Sequence, residues 1–420
     1  MPTRSSAIDP PPAGMPVGDA PAAPASGAPD KPDKVAKDFA IWLLREGSRM
    51  PGMRVVLGEL VQRLLAEGLP LSRVALGELT LHPEARAYAL RWRKGDAAVS
   101  EEAVGHHVAR TDDYLGSPFQ ALYEGEDEIR RRLDGDAALD FALLRELREQ
   151  GHTDYLALAL SYGSGQRAPL ALCTDRPGGF SEDEIARLRT LVPPLGLIAE
   201  LHAVRRLPRA LLETYLGSDA ARQVLDGHIQ RGDASTLNAV IWYCDLRGFT
   251  AMSDRMPPHL LVKVLNDYFE AMAGALVPMG GEILKFIGDG MLAVFRIGPD
   301  DRPAEVCEHA LNAARLALAA MRRRNRRRRQ AGKPELEFSL ALHVGEVMYG
   351  NIGAPGRLDF TVIGPAVNLT ARLEGLAGQH GLPLVTSAAF AAQCPPDNLR
   401  SFGHHALRGV AGEQEVFVPA

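Results

Sequence analysis

Two apolar runs on either side of a short glycine-containing turn limit the architecture of this chain more than any other feature. Residues 282–287 and 291–295 flank Gly288-Asp289-Gly290. Gly and Asp favour tight turns between antiparallel strands, so the pattern predicts a β-hairpin with Asp289 at its tip. Lys285 interrupts the first run, and a buried lysine must either reach solvent or meet an acceptor. A base edge or a phosphate would be such an acceptor, which makes this hairpin a candidate part of a site.

A second β-branched run, residues 237–244, ends at Asp245 and continues as Leu-Arg-Gly-Phe-Thr. The pattern predicts a strand that stops where a glycine-containing turn begins. An Asp in this position is most often only a turn former. It can also bind a hard cation such as Mg²⁺, while the N–H groups of the turn suit phosphate oxygens.

A helix and a strand-helix pair complete the pattern. Residues 257–277 have apolar side chains at helical spacing after a proline, so Tyr268 and Phe269 are interpreted as core residues. Residues 359–374 predict a short strand followed by a helix that opens at Gly-Pro. On that helix Asn368 and Arg372 share one face, which is polar and open to a ligand, and leucines take another.

Composition limits the class of protein and its partners. The 420 residues are 46% hydrophobic and 24% charged, which favours a soluble chain with two or more cores. The formal net charge of −5 excludes a global basic surplus. Residues 322–329 are rich in arginine but lack interleaved aromatics, and we interpret them as a solvated helix end rather than a nucleic-acid site. We therefore expect no nucleic-acid partner.

Cysteine use and hydropathy predict the compartment. The four cysteines stand far apart, without a Cys-x-x-Cys pair, and are expected to be reduced thiols. No apolar run approaches the ~20 residues of a membrane-spanning helix, and the first ten residues lack a signal-peptide pattern. These features predict a cytoplasmic protein without membrane insertion.

The N-terminal half predicts a separate α+β domain. Residues 1–34 are rich in Pro, Ala and Gly and are expected to be a disordered leader. Residues 35–201 mix helical stretches with predicted strands at 75–79, 88–94, 155–162 and 169–174, and end in a helix that starts at residues 181–184 and has apolar positions from Ile185 to Leu201. The order of these features resembles a GAF-type sensor domain, which implies a small-molecule effector. A purely structural dimerisation domain is the alternative, and residues 202–236 are expected to form a helical connector.

Three motifs in the C-terminal half together resemble the class III nucleotidyl cyclase catalytic domain. They are Asp245-Leu-Arg-Gly-Phe-Thr, Lys285-Phe-Ile-Gly-Asp-Gly and Val367-Asn-Leu-Thr-Ala-Arg-Leu-Glu. The match covers residues 237–420. The resemblance implies an α+β, ferredoxin-like (palm-type) fold that converts ATP to 3′,5′-cyclic AMP and pyrophosphate.

The resemblance also implies a metal site and a phosphate site. The family's two metal carboxylates match Asp245 and Asp289, with the backbone carbonyl of Leu246 as a further ligand, for two Mg²⁺ or Mn²⁺ ions per active site. Two-metal logic suits in-line attack of the ribose 3′-hydroxyl on the α-phosphorus. The residues implied to bind the β- and γ-phosphates are Leu246, Arg247, Gly248, Phe249 and Thr250.

Base selection and transition-state stabilisation are implied at other positions. The family's purine-selecting pair matches Lys285 and Thr361, where many relatives have Asp in place of the threonine. Asn368 would orient the ribose and Arg372 would stabilise charge on the α-phosphoryl group. Arg408 stands where relatives usually have a phosphate-binding lysine.

Family members form head-to-tail dimers in which the two chains supply different halves of each site. This chain carries both halves, so the resemblance implies a homodimer with two equivalent sites and an inactive monomer. The alternatives are a guanylate cyclase, a diguanylate cyclase of the related palm fold, or a catalytically silent homologue that binds nucleotide. Gly280-Gly281-Glu282 lacks the full signature of a diguanylate cyclase.

Overall fold

The structure is a computed structural model that describes residues 34–111, 114–135 and 139–420. The predicted leader lies outside the described residues, apart from Lys34. The described chain divides into two compact units. The first comprises the described residues up to Leu76 together with 91–100 and 116–199, and the second comprises 77–90, 101–115 and 200–420.

The N-terminal half contains five α-helices and six strands among its described residues. They are α1 (Lys34–Arg45), α2 (Met53–Ala66), β1 (Arg73–Leu79), β2 (Ala85–Arg93), β3 (Ser100–Gly105), α3 (Pro118–Glu124), β4 (Glu128–Arg132), α4 (Ala142–Glu149), β5 (Asp154–Ser161), β6 (Arg167–Thr174) and α5 (Glu182–Leu216). The six strands form one sheet in the order β3-β2-β1-β6-β5-β4.

The four strands predicted in this half are present as β1, β2, β5 and β6. β5 and β6 are paired antiparallel from Asp154↔Thr174 to Ser161↔Arg167, on either side of the predicted glycine turn. Every residue of β5 from Asp154 to Leu160 is buried, so the strand lacks the alternation of a half-exposed sheet. The sequence did not predict β3 and β4, which are short and rich in charged residues.

The helix predicted to start at residues 181–184 does start there, but it extends beyond Leu201, the last of its predicted apolar positions. α5 runs for 35 residues and includes the first half of the predicted connector. The division between the two compact units falls within this helix, after Ala199. Gly217 separates it from a second helix, α6 (Ser218–Leu225), so the predicted connector is helical only as far as Leu225, and the strand predicted from residue 237 already begins at Ala234.

The C-terminal half is built around one eight-stranded sheet. Its elements are β7 (Ala234–Leu246), α7 (Phe249–Ser253), α8 (Pro258–Leu276), β8 (Glu282–Ile287), β9 (Gly290–Ile297), α9 (Pro303–Gln330), β10 (Phe338–Ala354), β11 (Arg357–Ile363), α10 (Pro365–Gln379), β12 (Val385–Ser387), α11 (Ala388–Ala391), β13 (Leu399–Ala406) and β14 (Glu413–Pro419). The strand order is β13-β14-β12-β10-β7-β9-β8, and β11 pairs with β10.

The central part of this sheet has ferredoxin-like topology. The chain order β7-α8-β8-β9-α9-β10 is a β-α-β-β-α-β unit, and its strands lie in the order β10-β7-β9-β8 with antiparallel pairing throughout. The predicted α+β palm-type architecture is therefore confirmed for this half of the chain.

The side chains of β7 alternate between two cores. Val240, Trp242 and Cys244 pack with α8 and α9 on one face of the sheet. Ala239 and Ile241 point to the opposite face, where they pack with α6 and β11. This two-residue period lets the strand bury both faces while its end, at Asp245, reaches the edge of the core.

Local predictions in this half are confirmed. β8 and β9 form a hairpin closed by the pair Ile287↔Gly290, which leaves Gly288 and Asp289 as the turn. α8 buries Tyr268, with Phe269 packed beside it at the edge of the core. The four cysteines are free and buried.

The charges at the end of α9 and the hydropathy of the helices bear on the possible partners. Of the arginine-rich run at the end of α9, Arg324 forms an ion pair with Glu270 at 3.0 Å and Arg329 pairs with Glu335 at 2.5 Å, so part of it is neutralised within the domain. Across the described part of the chain, no helix combines the length and apolar character needed to cross a bilayer.

Candidate active site

Asp245 and Asp289 meet where two neighbouring strands end. Asp245 is the penultimate residue of β7, and Asp289 occupies the turn after β8. The two carboxyl groups are close enough for Asp289 to act on Asp245 through its charge and as an acceptor for its protonated form. Burial, the proximity of Asp289 and the charge of Glu374 raise the pKa of Asp245 to about 7, while the Leu246 N–H, 3.1 Å from its Oδ1, opposes the shift. Two carboxylates held this close need either a shared proton or a cation.

Glu374 is a third acidic group beside this pair. It lies on α10, is 8% exposed, and accepts a 2.6 Å hydrogen bond from the Ser339 hydroxyl. Ser339 stands opposite Asp245 in the β7–β10 ladder, which explains the electrostatic influence of Glu374 on the site. Burial raises the pKa of Glu374 as well.

The turn after Asp245 offers backbone donors. Gly248 adopts a left-handed conformation with φ of 71° and precedes α7, whose first N–H groups have no acceptor within the helix. Arg247 differs from the rest of the turn. Its N–H donates to the Glu337 carbonyl at 2.8 Å, and its guanidinium donates to the Leu382 carbonyl. In this conformation the predicted phosphate cradle therefore depends on the N–H groups of Gly248, Phe249 and Thr250, whereas the Leu246 carbonyl is an acceptor and suits the metal site instead.

The acceptor for the Lys285 ammonium is a residue of the same chain. Its Nζ donates to Asp359 Oδ2 at 2.9 Å, and the lysine side chain is 30% exposed. Thr361 lies two residues after Asp359 on β11, so the two side chains point to the same side of that strand. Thr361 is 4% exposed, and its hydroxyl has no hydrogen-bond partner among the described residues. The Lys285–Asp359 pair and this unsatisfied hydroxyl form a polar group at one sheet edge.

The other predicted site residues are exposed and make no direct polar contact with the paired carboxylates among the described residues. Asn368 and Arg372 lie on the solvent face of α10, and Arg408 lies in the turn between β13 and β14. Within the described residues, no hydrogen bond or ion pair links any of the three to Asp245 or Asp289. The described contacts of a single chain thus do not join the exposed Asn368 and Arg372 to the paired carboxylates.

The residues present fit a divalent cation. Carboxylate oxygens are the ligands that Mg²⁺ and Mn²⁺ prefer, and Mg²⁺ is usually held by one or two carboxylates together with substrate phosphates. Asp245 and Asp289 supply two carboxylates, and the Leu246 carbonyl stands at the same strand end. Burial, Asp289 and Glu374 together raise the pKa of Asp245, and a bound cation would offset the repulsion between these carboxylates.

Sequence reasoning missed two members of the site. Asp359 is the hydrogen-bond partner of Lys285. The sequence indicated it only through its position two residues before Thr361, which places both side chains on the same side of β11. Glu374 was recognised as part of a motif but given no role. Its signal was an acidic residue on the apolar face of α10, between Leu373 and Leu376.

Comparison with known proteins identifies this half of the chain. Residues 233–418 match the family described as adenylate and guanylate cyclase catalytic domain. An adenylate cyclase of Anabaena cylindrica is 41% identical over 158 residues, which are 37% of this chain and 30% of that protein. Adenylate cyclase 1 of Rhizobium meliloti is 30% identical over 184 residues, 43% of this chain and 27% of that protein. The chain thus spans less than a third of the length of these relatives.

Solved cyclase structures resemble the same region. The guanylyl cyclase Cya2 is 29% identical, with a TM-score of 0.39, covering 44% of this chain and 93% of that one. The adenylyl cyclase CyaB from P. aeruginosa is 26% identical, with a TM-score of 0.38, covering 44% and 95%. From the family match and the bacterial adenylate cyclase relatives, we conclude that residues 233–418 form a class III adenylate/guanylate cyclase catalytic domain.

Proposed function

We propose that this protein is an adenylate cyclase, which converts ATP to 3′,5′-cyclic AMP and pyrophosphate. The observation that carries the proposal is the close pair of carboxylates, Asp245 and Asp289, beside the free N–H groups at the start of α7. Such a pair is suited to divalent cations bound to a triphosphate, and the adjacent N–H groups are suited to its oxygens.

The chemistry is an in-line displacement at the α-phosphorus. A bond forms between the ribose 3′-oxygen and the α-phosphorus, the bond to the bridging oxygen of the β-phosphate breaks, and the hydroxyl proton passes to solvent. Two Mg²⁺ or Mn²⁺ ions, when bound by Asp245, Asp289 and the Leu246 carbonyl, supply activation of the 3′-hydroxyl and neutralisation of the triphosphate. Gly248, Phe249 and Thr250 orient the β- and γ-phosphates through their N–H groups.

Base selection rests on Lys285 and Thr361. A lysine ammonium donates to adenine N1, and a threonine hydroxyl can accept from the 6-amino group. Asp359 holds Lys285 by a 2.9 Å hydrogen bond and thereby limits the positions its ammonium can adopt. The unpartnered Thr361 hydroxyl has capacity for a hydrogen bond that the described chain does not supply.

The remaining residues act across a dimer. Arg372 stabilises charge on the α-phosphoryl group with a rigid guanidinium, Asn368 orients the ribose, and Arg408 binds phosphate. These three side chains are exposed, and none of them forms a hydrogen bond or ion pair with Asp245 or Asp289 among the described contacts of their own chain. We therefore propose a homodimer in which each site takes its carboxylates from one chain and its purine and transition-state residues from the other.

The N-terminal half is proposed to regulate this activity. We assign residues 35–201 to a GAF-like domain that binds a small-molecule effector, residues 202–236 to the connector, and residues 237–420 to catalysis. The six-stranded sheet flanked by helices supports an α+β sensor, and α5 supports a continuous helical exit from it. A structural dimerisation domain is the alternative.

The proposal is tested by product analysis. Purified full-length protein at micromolar concentration is incubated with ATP or GTP and Mn²⁺, and the cyclic nucleotide is quantified. We expect cyclic AMP, formed faster than cyclic GMP. Preferential formation of cyclic GMP would establish the alternative of a guanylate cyclase, and nucleotide binding without any cyclic product would establish the silent homologue.

A further inference from the structure

The joint between α5 and α6 lies directly against the strand that carries Lys285. Gly217, at this joint, has φ of 87°, a conformation that side chains rarely adopt. A Cβ there would lie 3.2 Å from the Ile283 carbonyl oxygen and 3.4 Å from Glu282 Oε1. The conformation therefore favours glycine, and the close approach shows that the joint packs tightly against the beginning of β8.

Glu282 caps the helix that follows the joint. α6 receives no side-chain cap from its own N-cap residue, Gly217. Instead, Glu282 Oε1 accepts a 3.2 Å hydrogen bond from the Asp219 N–H in the first turn of α6. A carboxylate at a helix N-terminus satisfies unpaired donors and complements the helix dipole. The first residue of β8 thus stabilises the connector helix.

Arg296 of β9 joins this cap to a second carboxylate. Its guanidinium pairs with Asp219 and lies 3.4 Å from Glu282 Oε2. It also stacks over the ring of Tyr349, 4.3 Å from the ring centroid. Asp219 is 8% exposed, and a charged residue this buried requires partners. Arg296 is therefore the common partner of two acidic groups from different elements.

The strand between this cluster and Lys285 is irregular. The pairing of β8 with β9 shifts register between Ile283 and Lys285, which is a bulge only two residues beyond Glu282. A bulge bends its strand and redirects the side chains that follow it. The contacts that hold the start of β8 therefore influence the direction of the Lys285 side chain. Beyond the bulge, Lys285 is held by Asp359. Two features therefore determine where its ammonium lies: the start of β8, which precedes the bulge, and the hydrogen bond to Asp359.

We propose that Glu282, Asp219 and Arg296 are positioning residues that set the placement of Lys285 for the purine ring and link base selectivity to the connector. The inference rests on the proposed function, because Lys285 reads the base only in a cyclase. None of the three residues touches substrate in this scheme. Their effect reaches the base through the anchored start of β8 and its bulge.

The test compares two arginines that share one carboxylate. Arg296→Lys keeps the positive charge, but a single ammonium cannot reproduce the planar fork that spans two carboxylates and stacks on a ring. Arg222→Lys is the matched control, because Arg222 also pairs with Asp219 but is 67% exposed and does not contact β8 or β9 through any described ion pair. Thermal unfolding of both variants checks that each is folded.

The readout is base selectivity, measured with two nucleotide analogues that the enzyme cannot convert to product. 3′-Deoxy-ATP and 3′-deoxy-GTP lack the attacking hydroxyl, so the ratio of their inhibition constants measures base recognition alone. We expect Arg296→Lys to reduce the preference for the adenine analogue about tenfold, which corresponds to partial loss of the charged hydrogen bond from Lys285 to the base. Arg222→Lys should change it less than about twofold, as expected for an exposed pair.

Glu282→Gln provides an independent variant. Its amide oxygen can still cap α6, but its charge toward Arg296 is lost, so selectivity should fall while the protein stays folded. The inference is overturned if Arg296→Lys and Glu282→Gln keep the wild-type ratio, or weaken both analogues by one common factor. That result would leave the proposed function intact if the wild type makes cyclic AMP, whereas absence of cyclic product from the wild type would refute the proposed function itself.

Discussion

Replacing Asp245 by Asn should stabilise the metal-free protein at alkaline pH. The pKa of Asp245 is raised from 3.8 to about 7, mainly by burial and by Asp289. A carboxyl with a higher pKa in the folded chain adds stability below its unfolded pKa, and this contribution is lost as pH rises through about 7. The wild type in a chelator should therefore lose stability between pH 4 and pH 8, and Asp245→Asn should lose less.

The size of this effect follows from the pKa difference. A fully buried group with this pKa difference would account for about 4 kcal/mol. Asp245 is only half-buried at a site open to solvent, and screening reduces the expectation to about 2 kcal/mol. For a unit of this size, that corresponds to an unfolding temperature about 4–8 °C higher for Asp245→Asn at pH 8.

The assay is thermal unfolding in EDTA from pH 5 to pH 8. The difference between Asp245→Asn and wild type should narrow as the pH is lowered, and added Mn²⁺ should stabilise the wild type more than the variant. Asp254→Asn, at an exposed position just after α7, is the control. Parallel pH profiles for wild type and Asp245→Asn, or an equal shift in the control, would refute this account of the carboxylate pair.

Two further substitutions test other parts of the site. Lys285→Ala should lower kcat/KM for ATP about 10- to 100-fold, because a hydrogen bond from a charged group contributes about 1.5–3 kcal/mol. The control is Lys263→Ala, at an exposed position on α8, which should leave kcat/KM unchanged. Equal losses in the two variants would contradict the role of Lys285. Ser339→Ala leaves the buried Glu374 without its donor and should reduce the free energy of unfolding in urea by about 1–3 kcal/mol. Glu374→Gln keeps an acceptor and relieves repulsion from Asp289, so a loss as large as that of Ser339→Ala would show that Glu374 is not held as described.

Local signals made the carboxylate hairpin predictable. The turn at Gly288-Asp289 needs only its own residues, since Gly288 adopts φ of 64° and the flanking strands are apolar. α10 begins at the proline that the sequence indicated, because proline suits the first turn of a helix. In both cases the signal lies within a few residues of the feature it predicts.

Features that depend on distant partners were not predictable. β10 is 17 residues long and central to the sheet, but its glycines and polar residues hide the strand pattern, and it forms because β7 and β11 flank it. Asp359 lies 74 residues from Lys285, and Glu374 lies 35 residues from Ser339. Their pairing follows from the fold, and no local spacing rule indicates it.

The shared site is tested most directly by mixing two inactive variants. Asp245→Ala removes a metal carboxylate, and Arg372→Ala removes the transition-state guanidinium, so each homodimer should be inactive with ATP and Mn²⁺. Random exchange of subunits in an equal mixture makes half of the dimers mixed, each with one intact site, so cyclic AMP synthesis should recover to about one quarter of the wild-type rate. Inactive variants that stay inactive after verified subunit exchange would contradict a site built from two chains.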